Sequence, residues 1–184
     1  YARAPKFMMP SNLDFLQTYG FINNNKEILN HVDLTLTRMA WGGLFDTVHG
    51  GFSRYSVDMK WHIPHFEKML YDNALLLKVY ADAYKRTKNT SYLEVIKKTI
   101  SFLKDELMCE NGGFYSALDA DSLDHKNQLT EGAFYVWKIE ELKSLIQEDY
   151  DLFEQVFNIN SYGFWEDDNY VLIQNDNLEN IANK

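Results

Sequence analysis

Gly50-Gly51-Phe52-Ser53 returns at residue 112 as Gly112-Gly113-Phe114-Tyr115-Ser116, and a fainter third copy reads Tyr162-Gly163-Phe164-Trp165. The segments between the copies carry apolar residues at helical period. Two helices and a long Gly-aromatic loop per unit is what repeated helical hairpins write into sequence, and three such units fit this chain. The reading is therefore all-α.

Working outward, Ser11 and Asp14 predict a short helix carrying Leu13, Phe15, Leu16 and Tyr19, stopped at Gly20. Asn24 and Glu27 form a capping-box-like pair before Ile28, Leu29, Val32, Leu36, Met39 and Ala40, a stripe that ends at Gly42-Gly43. A third helix, Phe66 to Lys85, is apolar around most of its circumference and is expected inside the protein. Ser91 with Glu94 reads as a second capping box, ahead of a stripe from Tyr92 to Leu107 that Gly112-Gly113 closes. Shorter helices are expected over Ile139 to Gln147 and Tyr150 to Asn158. The connections 42–64 and 110–137 exceed the ~12 to 15 residues usual for a plain loop. In the second, Phe114 to Ala117 and Ala133 to Trp137 have strand composition and predict a small β-hairpin.

The chain has 184 residues, 18 Lys+Arg against 27 Asp+Glu, a net charge of -9 and 46% apolar residues. It can bury a real core. The acidic balance argues against a nucleic-acid partner, which needs clustered cations. No run approaches the ~18 apolar residues of a membrane span, so no membrane is expected. One cysteine, Cys109, excludes an internal disulfide and a thiolate zinc site, which fits a cytoplasmic protein. The chain lacks an initiating Met and a signal core, and it stops in a polar stretch. The expectation is a segment of a longer protein.

The densest polar and aromatic cluster runs from Arg54 to Asn73. Pro64 starts a helix soon after itself, which puts His65 and Glu67 in its first turn and Tyr71 one turn below Glu67. A histidine beside carboxylates can be a general base or acid, or simply a structural hydrogen-bond donor. Lys68 and Asp72, spaced i, i+4, could pair. Asp119 and Asp121 alternate in phase and could face one way as an acid and base pair, or else cap turns; Glu131 lies in the same loop. His49, His62 and His65 have no helix-phased partner, so neither a metal nor a cofactor is expected. Flat rings such as Trp41, Tyr55, Trp61 and Trp137 beside carboxylates suit a sugar, though large rings also dominate any core.

Several blocks together resemble one family: Gly42 to Asp46, Gly50 to Asp58, Trp61, Pro64 to Ala74, Gly112 to Ala117, Asp119 to Ser122 and Glu131 to Trp137. It is the family of thioredoxin-domain-containing proteins that includes the spermatogenesis-associated thioredoxin-like proteins, and the similarity covers Ala4 to Val171. The resemblance implies a thioredoxin-like domain followed by an (α/α)6 toroid of the six-hairpin glycosidase and N-acylglucosamine 2-epimerase kind. Residues 1–184 would then be about three hairpins of that toroid, with the redox domain upstream and the other half-toroid downstream. Met8 stands where a Pro is usual, Lys138 where Ser or Thr is, and the loop 162–171 is degraded.

By this resemblance the ring mouth would collect His65, Glu67, Asp119 and Asp121 as catalytic residues, with Arg54, Tyr55, Trp61, Tyr71, Asp72 and Glu131 binding ligand. The implied activity is sugar epimerisation, isomerisation or glycoside hydrolysis on a mono- or oligosaccharide. The alternative is a non-catalytic binding or scaffolding module serving the thioredoxin-like domain of the same chain. A half-ring would expose apolar faces, and self-association is expected.

Overall fold

The computed structural model describes residues 4–176 and 178–183. About half of the chain is helical, with a few small strands, so the all-α expectation holds at that level. Helix α1 spans Pro10–Ile22 and α2 spans Lys26–Trp41, joined by a tight turn into one hairpin. Helices α3 (Leu70–Thr87) and α4 (Thr90–Phe102) make the second, and α1 also packs on α3. A π turn, Leu103–Leu107, extends α4. The shorter α5 (Ile139–Ile146) and α6 (Tyr150–Val156) pack together through a 3-10 turn, and α7 (Leu178–Ala182) packs against α6.

Among the described residues seven short strands decorate the loops. β1 (Lys6–Phe7), β2 (Tyr55–Ser56) and β3 (Pro64–His65) form an antiparallel sheet in that order. β4 (Lys68–Met69) pairs β5 (Ala117–Leu118), and β6 (Asp121–Leu123) pairs β7 (Leu129–Glu131). The predicted hairpin thus forms at different residues. Asp124 accepts from the amides of Lys126 and Gln128, and this turn folds β6 onto β7. Phe114 to Ala117 instead runs into β5, and Ala133 lies in a turn before Trp137 bridges Tyr170.

Helix ends also differ in detail. Helix α1 begins at Pro10 and continues through Gly20 to Ile22; Gly20 does not stop it but lets it pack closely on α2, since a Cβ there would lie 3.0 Å from the Leu29 side chain. Asn25, not Asn24, caps α2 by accepting from the Ile28 amide, and Asn89, not Ser91, caps α4. Helix α3 starts four residues later than expected, since 64–65 and 68–69 are taken by strand pairing. It is also one-sided: Leu76, Val79, Tyr80 and Ala83 are buried, whereas Ala74, Leu75 and Ala81 are exposed.

The main core joins Val32, Leu36 and Met39 of α2 to that buried face of α3, Tyr92 and Val95 of α4, and Leu44, Phe45 and Phe52 of the first loop. The Tyr80 hydroxyl donates to the Leu36 carbonyl at 2.7 Å, so its burial leaves no lost hydrogen bond. A smaller core under the second loop holds Phe66, Ala120, Val171 and Ile173. The three repeat copies share one device: Phe52, Phe114 and Phe164 each sit in an isolated antiparallel bridge, to Phe45, Met108 and Tyr170. In the first copy Gly50 and Gly51 have φ of +80° and +81°, and a Cβ on Gly51 would lie 2.5 Å from the Phe102 ring.

Two polar side chains fasten this first loop to the start of α3. Lys68, 1% exposed, donates from Nζ to Asp46 Oδ2 at 2.8 Å and to the Gly50 carbonyl at 2.9 Å. The sequence expectation of a Lys68–Asp72 pair is corrected: the strand pairing of Lys68 turns it inward, away from the helix surface. Asn73 accepts from the Phe52 amide at 2.7 Å and donates to the carbonyls of Phe52 and Met69. Removing one partner of a buried ion pair strands the other, at a cost of about 3 to 5 kcal/mol, whereas an exposed pair such as Lys78–Asp14 is worth about 1 kcal/mol or less. Lys68→Met is therefore expected to lower the urea midpoint severalfold more than Lys78→Met; equal shifts would contradict this assignment.

Candidate functional site

The site grows from the irregular run between Gly50 and Met69, which carries the short strands β2, β3 and β4. Asp58 shapes it by accepting from the amides of Lys60, His62 and Ile63. Burial works to raise the Asp58 pKa, but the three amide donors outweigh it and hold the carboxylate below its usual range. This closes the loop so that Tyr55 pairs directly with His65 across β2 and β3.

His65 Nδ1 lies 2.9 Å from Glu131 Oε1, and its ring stacks on Tyr55 at 4.8 Å with an interplanar angle of 13°. Phe7 packs against Tyr55 in turn. An ionised carboxylate only accepts, so in the neutral ring Nδ1–H donates to Glu131 and Nε2 keeps its lone pair. Glu131 is the cross-strand partner of Asp121 on β6 and β7, which puts a second carboxylate-bearing residue beside the pair. Asp119, by contrast, is exposed, and its Oδ1 accepts from the Asp121 amide at 3.2 Å. The two do not share a strand: β6 begins at Asp121, and Asp119 forms the turn before it.

Arg54 serves a second group. Its Nη1 donates to Glu67 Oε2 at 3.1 Å and its amide donates to the Glu67 carbonyl at 2.8 Å. Arg54 Nε is buried with no partner among the described residues. Asp72, 8% exposed, has its carboxyl pushed up to about 6 by burial; the Arg54 charge opposes this and the Glu67 charge adds to it. The Arg54 guanidinium is pushed further up, chiefly by its hydrogen bond to Glu67 and then by Tyr71, which is exposed. Glu67 lies between β3 and β4, before α3 and not in its first turn, and this is what lets it meet Arg54.

The structure thus gathers His65, Tyr55, Glu131 and Asp121 in one group and Arg54, Glu67, Tyr71 and Asp72 in another. Trp61 joins neither. It is 5% exposed within the main core, Lys6 Nζ sits 3.9 Å over its ring, and its carbonyl accepts from Gly43. Sequence reasoning missed Asp46 and Asn73 as fasteners, for which the only cue was their place inside the resembling blocks. It also missed a cleft of roughly 480 Å³ lined by Arg38, Lys60 and His62, which none of the ten candidate residues borders. Among the described residues no cluster of His, Cys, Asp and Glu has metal-binding geometry, and no helix is long and apolar enough to cross a membrane.

No family model matches the chain. Homologues do. The chain is 42% identical over 153 residues to spermatogenesis-associated protein 20 of Homo sapiens, a match covering 80% of this chain and 20% of that protein. It is 43% identical over 154 residues to an uncharacterised protein of Caenorhabditis elegans, covering 79% of this chain and 21% of that one. The chain therefore spans about a fifth of the length of these relatives. Among solved structures, a sugar epimerase from a ruminal bacterium superposes with a TM-score of 0.57 at 16% identity, over 64% of this chain and 30% of that one. That likeness is one of fold.

Asp72 gives a pH test. Its folded pKa, about 6, lies above the unfolded value near 3.8, so its stabilising contribution is complete below about pH 3.8 and is lost as pH rises through about 6. Asp72→Asn should therefore gain on wild type by up to about 3 kcal/mol between pH 4 and pH 8, in urea unfolding at each pH. A gap independent of pH would show that the carboxyl is not perturbed.

Proposed function

We propose that this chain is a segment of an (α/α) toroid that binds a mono- or oligosaccharide and moves protons on it in the manner of an epimerase or isomerase. The observation that carries the reading is the His65–Glu131 contact. A carboxylate that fixes one imidazole nitrogen leaves the other with a directed lone pair, as a general base requires. Asp72, with a carboxyl pushed up to about 6, is partly protonated near neutrality and is the candidate acid of the neighbouring group. A sugar epimerase shares this fold, which favours a sugar as substrate. Hydrolysis by Asp119 or Asp121 with Glu67 is less favoured, since Asp119 is engaged with a backbone amide and Glu67 with Arg54.

The reading extends to the surroundings of the segment: a thioredoxin-like domain of the same chain as partner, a cytoplasmic location, and self-association through exposed apolar residues. Phe15, Phe21 and Ile22 of α1 are 65%, 66% and 70% exposed, which supports the last of these. A non-catalytic scaffold is the second reading. It is favoured by Lys68 and Asn73, whose polar atoms are spent on holding the loop.

Proton abstraction beside a carbonyl leaves a direct trace. The full chain, incubated in deuterated water with a panel of mono- and oligosaccharides, should incorporate deuterium at the carbon next to the carbonyl of one of them, read by mass spectrometry. His65→Gln should slow that exchange by about 10² to 10⁴-fold. No exchange and no calorimetric binding across the panel would leave the scaffold reading standing alone.

A further inference from the structure

The cleft of roughly 480 Å³ opens between Arg38 and Trp41 at the end of α2, Lys60 and His62 of the first loop, and Ser161 and Tyr162 of the third Gly-aromatic loop. Its volume lies within the ~300 to 1,000 Å³ usual for small-molecule sites. The chain as a whole carries a net charge of -9, yet this lining holds Arg38, Lys60 and His62 and no Asp or Glu. A local reversal of sign in a concave site concentrates anions.

The cations are also uncommitted. Neither the Arg38 guanidinium nor the Lys60 ammonium has a hydrogen-bond or ion-pair partner among the described residues. Asp58, the nearest acid on the same loop, is engaged by three backbone amides, including those of Lys60 and His62. His62 Nε2 is buried without a partner among the described residues, a condition that costs free energy unless a ligand or water completes it. The His62 ring contacts Tyr162 at a centroid distance of 3.8 Å, so the third loop is in touch with the first at this point. Trp41 and Tyr162 add aromatic surface, and Ser161 adds a hydroxyl.

From this lining we infer that the cleft is a binding site for a phosphorylated monosaccharide. The phosphate is held by Arg38 and Lys60, the sugar ring lies against Tyr162 and Trp41, and His62 Nε2 takes a hydrogen bond from a sugar hydroxyl. Two cations match a phosphomonoester dianion, whereas a neutral sugar would leave both charges unanswered. The site is separate from the His65 group and does not depend on the proton-transfer reading.

Calorimetric titration of the intact chain at low salt, with glucose 6-phosphate, inorganic phosphate, glucose and adenosine monophosphate, tests the inference. Glucose 6-phosphate is expected to bind, inorganic phosphate about tenfold more weakly, and glucose not detectably. Lys60→Gln and Arg38→Gln should each weaken the sugar phosphate about tenfold, the size of one lost charge-assisted hydrogen bond. Lys60 is exposed, so its variant tests the site even if Arg38→Gln fails to fold. The inference is overturned if no phosphomonoester binds, if both variants bind unchanged, or if adenosine monophosphate binds as well as glucose 6-phosphate.

Discussion

A lysine ammonium almost fully removed from water organises this protein. Lys68 sits beneath the first Gly-aromatic loop with Asp46 and the Gly50 carbonyl as its oxygens, and with the Tyr135 and Phe102 rings at 4.6 and 4.8 Å. Burial lowers its pKa and Asp46 opposes that shift. An ion so placed tolerates little displacement of its partners, because any lost oxygen leaves an unpaired charge in a low dielectric. The first loop is therefore fixed to the residues that lead into α3. Since β4, which carries Lys68, pairs with β5, the same anchor also registers the second loop.

That register brings the chemistry together. With Lys68 opposite Leu118, the second loop turns through Asp119 and Ala120 and sends β6 and β7 back over the first. Glu131 then meets His65, Gly132 rests on Phe66, and Phe134 contacts His49. The signature residues consequently divide by role. Asn73 and Asp58 spend their polar atoms on the backbone and Lys68 on Asp46 and the Gly50 carbonyl, while His65 and Glu131 spend theirs on each other. The cationic cleft lies where the third loop, through Ser161 and Tyr162, meets Arg38 of α2 and Lys60 and His62 of the first loop.

Much of the fold was legible because helices announce themselves through period. The stripes of α2 and α4, the stops at Gly42-Gly43 and the paired helices after Ile139 all follow from apolar spacing. The first turn of the expected third helix was not legible: Phe66 to Met69 has helical composition, but pairing of Lys68 and Met69 with residues about 50 positions away in sequence captures those two as strand, a tertiary override of local preference. Strand partners in the second loop were likewise misplaced, since pairs of two or three residues carry too little pattern to fix their register. For the site, the residue types of the resembling blocks pointed to His65, Glu131, Arg54, Glu67 and Asp72, but spacing held no sign of which would meet. It paired Lys68 with Asp72 on helical spacing that the strand removes, and it treated Trp61 as a ligand platform although its ring fills the core.

Glu131 reaches across from the second loop to orient His65, and the proposed proton chemistry depends on it. Nitrogen-15 NMR of the His65 ring, at a pH where it is neutral, reports this directly. The geometry requires the proton on Nδ1 with Nε2 bare, and a mixed population of tautomers once Glu131→Gln weakens the hold. A ring protonated on Nε2, or one whose signals are indifferent to Glu131→Gln, would contradict it.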